Sequence, residues 1–275
     1  MSNPVFSNSD VFGEPRRTGR GGAATAARPA QYGAYGAQAA DAASLQNMYE
    51  APSATPVDTQ RLTYTDVIMK TGGLLALLVV VAAATWSIAP GLWIGGMIVG
   101  LVLGLVNAFK KNPSPVLITL YAAAQGVFLG GISKFYESWQ DGVVLQAVLA
   151  TLSVFAVALF LYSSGKVRVT PKFTRFLLIG MVGYLVFSLV NVVLVWTGVL
   201  EGWGMRGGTM GIVVGIIAVV LASMSLIMDF DFIKRGVEQG VPAKFAWSAA
   251  FGLIVTLVWL YLELLRLLAI FNSGD

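Results

Sequence analysis

The sequence predicts an all-α, polytopic membrane protein, with seven transmembrane helices behind a polar N-terminal tail. Three observations predict it. Charged residues make up only 12% of the chain and apolar ones 56%, where a soluble domain carries about a quarter charged residues. Most of the apolar residues lie after position 66, in blocks close to the roughly 20 residues that cross a bilayer as a helix. The blocks are continuously apolar rather than alternating, which favours helices over a membrane barrel.

In chain order, residues 1–62 come first and are rich in Ala, Gly, Ser, Pro and Gln. Stretches such as Gly21-Gly22-Ala23-Ala24 and Gln31-Tyr32-Gly33-Ala34 have neither helical nor strand period. Such a segment cannot bury enough apolar surface to offset its ordering entropy, so a disordered cytoplasmic tail is expected. No apolar stretch near its start marks a cleavable signal peptide. Arg16, Arg17, Arg20 and Arg28 are offset by Asp10, Glu14, Asp41, Glu50 and Asp58, as suits a solvated tether. The seven spans are then predicted at 67–88, 92–109, 116–135, 143–162, 176–196, 210–228 and 245–270, within the domain 63–271. Short connections marked by Pro and Gly, such as Ala89-Pro90-Gly91 and Lys110 to Pro115, make neighbouring spans antiparallel.

Basic residues set the expected orientation. With the tail inside, the inner loops hold Lys110 and Lys111; Lys166, Arg168, Lys172 and Arg175; and Lys234, Arg235 and Lys244. The other side holds only Lys134, Arg206 and Arg266. A multi-pass plasma-membrane protein is expected, with the N-terminus cytoplasmic and Asp275 outside. Glycines four residues apart (Gly96, Gly100, Gly104; Gly126, Gly130; Gly211, Gly215) let helix backbones approach closely, within one bundle or across a dimer face.

The residue inventory removes several functions. The chain has no Cys and no His, which excludes disulfides, thiolate and His-based zinc sites and a Ser-His protease. The last span has no deep Lys for retinal, and no Gly-x-Gly-Asp of a paired-aspartate protease occurs. No enzyme activity, cofactor or nucleic-acid partner is expected; the bilayer is the first partner. The halves show no evident repeat, which weakens a proton-coupled transporter.

Ionisable groups in or beside spans are costly and so are functional candidates. Asp229 and Asp231 close the predicted span six. They stand about 200° apart on a helix, so only one can face the bundle easily. At a helix C-terminus an anion needs compensation, from Lys234, Arg235, a proton or a bound cation. Glu263 lies about 8 Å from the midpoint of span seven at helical rise. A lipid-facing carboxylate there costs about 2.5–3.5 kcal/mol on insertion scales, so it should face the bundle interior. Two readings stand for it: a structural pair with Arg266, three residues later on the same face, or a carboxylate in a polar cavity. Asn107, Gln125 and Asn191 are expected to make interhelical hydrogen bonds.

Three stretches carry a family resemblance: Tyr121-Ala-Ala-Ala-Gln-Gly-Val-Phe-Leu-Gly-Gly-Ile-Ser133, Met228-Asp-Phe-Asp-Phe-Ile233 and Trp259-Leu-Tyr-Leu-Glu-Leu-Leu-Arg-Leu-Leu268. In them the chain resembles the transmembrane Bax inhibitor motif family (Bax inhibitor-like, YccA-like). The tail and the run Gly236-Val-Glu-Gln-Gly-Val-Pro-Ala-Lys244 look most like its actinobacterial branch. The resemblance implies a central last helix wrapped by the other six. It also implies, for at least some members, a pH-sensitive calcium leak governed by a proton-sharing carboxylate pair on helices six and seven. Asp229 matches the helix-six position and Glu263 the helix-seven pattern Tyr-Leu-acidic; anchoring on Leu264-Leu265-Arg266 puts Thr256 in the acidic position instead.

The expected function is therefore a pH-sensitive cation leak. Asp229, Asp231 and Glu263 line its path, Arg266, Lys234 and Arg235 are charge partners, and calcium passes transiently at Asp229 and Glu263. The rival is a non-conducting scaffold or stress-response protein that binds other membrane proteins.

Overall fold

A computed structural model describes residues 60–273. The tail expected over 1–62 lies outside the described residues through position 59, as do its arginines and Asp275. The described residues form seven helices long and apolar enough to cross a membrane: α1 Tyr64–Ile88, α2 Trp93–Phe109, α3 Pro115–Trp139, α4 Val143–Ser163, α5 Pro171–Trp196, α6 Gly208–Glu238 and α7 Ala246–Asn272. Short 3-10 turns, Pro90–Leu92, Gly204–Arg206 and Ala243–Phe245, precede α2, α6 and α7.

Local chemistry explains where the helices outrun the apolar blocks. α1 starts at a Thr63 cap whose hydroxyl oxygen accepts from the Asp66 N–H at 3.1 Å, satisfying one of the orphan donors of the first turn. α4 starts where the Glu137 carboxylate accepts from the N–H groups of Gly142 (2.8 Å) and Val144 (3.1 Å), an anion at the positive end of a helix. α6 runs ten residues beyond its predicted span (210–228 against Gly208–Glu238), because past Met228 the pattern turns from wholly apolar to amphipathic. Phe230 and Ile233 are buried, while Asp231 pairs with Arg235 and Lys234 with Glu238 one turn on. Gly240, at φ 63°, ends it: the Gly240 N–H reaches Val237 O at 3.1 Å and the Val241 N–H reaches Gly236 O at 3.0 Å, the paired bonds of a left-handed C-cap. Asp229 and Asp231 therefore stand within a continuous helix and not at its C-terminus.

Two faces follow from the loops. On the near face, where α1 begins, the Leu62 N–H bonds Val241 O at 2.7 Å and the Ala243 N–H bonds Gln60 O at 2.8 Å. Leu62 is 3% exposed, so residues 60–62, assigned to the tail by composition, pack against the α6–α7 loop. Lys244 donates to Asn112 at 3.1 Å, holding that loop to the α2–α3 loop. On the far face, Trp203 of the α5–α6 loop stacks on Tyr136 near the end of α3.

α7 packs against α6, α1, α4 and α3 and contributes to both apolar clusters. Of its span residues 61% are buried, against 6% in α5. The last helix is thus central, but its wrapping is uneven: α2 lies outside on α3, and α5 outside on α6. The glycine faces close inside the bundle. A Cβ on Gly126 would come within 2.7 Å of Leu78 O on α1, and one on Gly96 within 2.6 Å of Phe128 N on α3. Interhelical bonding by the amides is not found: Asn107 donates to Leu103 O in its own helix, Gln125 Oε1 has no partner among the described residues, and Asn191 bonds loop backbone.

A Gly126→Val substitution should cost about 1–3 kcal/mol through overpacking, whereas Gly73→Ala, with nothing within 4 Å of its Cβ, should hold or gain stability. Thermal unfolding followed by tryptophan fluorescence in detergent separates the two.

Candidate functional site

Two polar centres lie along α7. The first faces α6. Asp229 is partly buried, and its Oδ2 accepts from the Thr256 hydroxyl at 2.7 Å. Gly252, one turn before Thr256, leaves room beside Oδ1. No basic side chain is within ion-pair reach of Asp229 among the described residues. The carboxylate lies well inside both helices: α6 continues nine residues past it and α7 begins ten residues before Thr256, about 13–15 Å of helix in either case.

Asp231 points elsewhere, as its angle around the helix requires. It accepts from the Tyr162 hydroxyl of α4 at 3.3 Å and pairs with Arg235. Lys234 pairs with Glu238 at 3.8 Å in solvent and reaches neither aspartate, so its expected role as their charge partner is corrected.

The second centre surrounds Glu263, 4% exposed. Its Oε2 accepts from Arg266 Nη2 at 2.5 Å. Its Oε1 accepts from Arg206 Nη2 at 2.7 Å and from the Tyr184 hydroxyl, which itself accepts from Arg206. Both carboxylate oxygens are thus occupied. Arg206 arrives from the far-face turn Gly204–Arg206, and Asn191 of α5 holds that turn: its Oδ1 accepts from the Met205 N–H at 2.7 Å and its Nδ2 donates to Trp203 O at 3.3 Å. Gly204 is required there; its φ is 59°, and a Cβ would meet Asn191 Oδ1 at 2.5 Å. Arg206 also lies over the Tyr184 ring, 5.5 Å from its centroid, a further cation–π attraction. Two guanidiniums against one carboxylate leave a net positive charge, and Arg206 Nε, Arg266 Nε and Arg266 Nη1 are buried without a protein acceptor among the described residues.

The sequence-predicted carboxylates are therefore not brought together. Thr256 and Glu263 are seven residues apart on α7, about 10 Å, and each centre has its own partners. Of the two possible alignments of helix seven, the one with Thr256 opposite Asp229 is realised. Glu263 faces inward as its depth demands, but it is ion-paired and offers no free oxygen to calcium. Among the described residues no three acidic side chains converge on a metal position.

Residue order gave little hint of Tyr184 and Arg206. Tyr184 carries the hydroxyl that a buried tyrosine must satisfy, the one signal that α5 holds a polar contact. Arg206 stood out only as a far-side exception to the basic asymmetry.

A family model described as Bax inhibitor 1 like matches residues 3–273. The chain belongs to the Bax inhibitor 1-like family. No curated protein matches it. For a member of this family, the carboxylate pair that the resemblance implied between helices six and seven is here an aspartate–threonine pair.

Because Glu263 serves two guanidiniums, Glu263→Ala strands both and should cost about 3–5 kcal/mol. Arg206→Ala leaves the Glu263–Arg266 pair intact and should cost less, and the two changes should be non-additive in a double-mutant cycle. Unfolding midpoints of the four proteins in one detergent provide the measurement.

Proposed function

We propose that this chain is a cation leak of the plasma membrane with calcium as its principal cargo, in which Asp229 is the pH-responsive carboxylate and the Glu263 centre closes the far half. The observation that carries this reading is the solitary state of Asp229. Asp66, Asp231, Glu238 and Glu263, the other helical acids apart from Glu137, are ion-paired, and Glu137 caps α4. Among the described helical acids, Asp229 alone has a single hydroxyl donor and no ion pair. Ionised, it draws a hard cation, which prefers oxygen ligands, and Thr256 adds a second oxygen. Protonated, it carries no charge and draws no cation. The near face, with nine of the loop and helix-end cations named above, is cytoplasmic on this reading.

The Glu263 centre acts oppositely. Its net positive charge repels a cation, and its salt bridges tie the α5–α6 loop to α7. Conduction then needs the loop to release Arg206, a two-state change that pH or a ligand can bias. The rival reading, a non-conducting scaffold for membrane-protein partners, is favoured by that same closed, ion-paired cluster.

Calcium flux into proteoliposomes across pH discriminates between them. Asp229→Asn should flatten the pH response. Thr256→Val, which removes the one hydrogen bond to that carboxylate, should shift the midpoint of the response. Arg206→Gln should raise flux about tenfold, equivalent to about 1.4 kcal/mol of lost repulsion. Flux no greater than in empty liposomes, or identical pH profiles for wild type and Asp229→Asn, supports the scaffold and sinks the leak.

A further inference from the structure

We propose that the cleft between α1 and α4 binds one acyl chain of a glycerophospholipid whose phosphate is held by Lys134 at the far-face mouth. α1 and α4 each pack on α7 and leave between them a cavity of about 530 Å³, in the range of about 300–1,000 Å³ that encloses a whole small ligand. Leu75, Val79 and Ala83 line one wall and Val148, Leu152 and Phe155 the other. The lining runs from Val144 to Phe155 along α4, about 16 Å at helical rise, and further along α1. Half of a bilayer's hydrocarbon thickness is about 15 Å, so the cleft has the length of one leaflet's chains.

The chemistry of the lining selects hydrocarbon over a hydrated ion. No charged side chain lines the cleft, and most of its hydroxyls are already bonded inside the protein. Ser133 and Tyr261 bond each other at 2.6 Å, Thr151 donates to Ala147 O at 2.7 Å, and Ser87 donates to Ala83 O at 3.0 Å. The cleft is therefore separate from the route proposed for cations.

The mouth selects the headgroup. Trp86 lines the cleft at its far-face end, and Lys134 Nζ sits over its ring, 5.2 Å from the centroid. Lys134 is exposed and pairs with no carboxylate among the described residues. Glu137, one turn later on α3, is occupied by the backbone of Gly142 and Val144. An amphipathic aromatic and an uncommitted ammonium at headgroup level suit a phosphate ester, with its chain passing down the cleft.

The test uses the full chain in phosphatidylcholine nanodiscs doped with phosphatidylglycerol that carries a mid-chain diazirine. After photolysis, adducts are mapped by peptide mass spectrometry. Adducts should concentrate on the α1 and α4 peptides around Ala83 and Leu152 and exceed those on the equally lipid-facing α5 around Val186. Lys134→Gln, an exposed change, should lower cleft labelling about fivefold. Ala83→Trp with Leu152→Trp should abolish it and leave α5 labelling unchanged. Labelling spread evenly over α1, α4 and α5 marks annular lipid only and overturns the proposal. So does labelling that ignores Lys134→Gln, or a diazirine fatty acid that labels the cleft as strongly as the phospholipid.

Discussion

A polar group carried into hydrocarbon has no water to accept or donate, so its own chain must meet it. That constraint governs how this bundle is assembled. Glu263 sits on the central helix and is satisfied only because three other groups converge on it: Arg266 from one turn away, Tyr184 from α5, and Arg206 from the far-face turn. α5 has few buried residues of its own and packs on α6 rather than on α7. Its connection to the central helix runs through Tyr184, which bonds Glu263 and packs its ring near Trp259. The carboxylate therefore does for α5 and its loop what side-chain interdigitation does for α1 and α3.

The helices and the sidedness of charge were legible in the sequence, because hydrocarbon imposes a length and a composition that no other solvent imposes. The extension of α6 was not. Hydropathy reports where lipid contact ends, while the helix continues for as long as Phe230 and Ile233 have a protein surface to cover and i,i+4 pairs support the solvent side. The mistaken end put two aspartates at a helix C-terminus, where they do not lie. The inward orientation of Glu263 was legible from cost alone, but the identity of its partners was not. Arg206 reaches it from a glycine-rich loop without period, where neither spacing nor propensity says where a side chain will arrive. Asp229 against Thr256 was readable only as one of two alignments of helix seven, and the Thr256–Asp229 hydrogen bond shows which is realised.

The two centres differ in a way that bears on transport. Electrostatic energy at low dielectric depends on the sum of charges at each level, not on the presence of an acid. At the level of Asp229 the sum is set by one proton, since no fixed cation stands beside it. At the level of Glu263 two guanidiniums outweigh the carboxylate, so the level stays positive whether or not the acid is ionised. On the proposed route a cation moving along α7 would meet an attractive level and, about 10 Å on, a repulsive one. Only the repulsive level includes a residue from a loop. The helical parts of both centres are fixed by packing, so on that reading the element that can change the barrier is the Gly204–Arg206 turn, held to α5 by Asn191 and the Arg206–Tyr184 contact and to α7 by the Arg206–Glu263 ion pair. In the proposed leak the residue that supplies the barrier, Arg206, also supplies the tether to Tyr184 and Glu263, so releasing the turn would remove both at once.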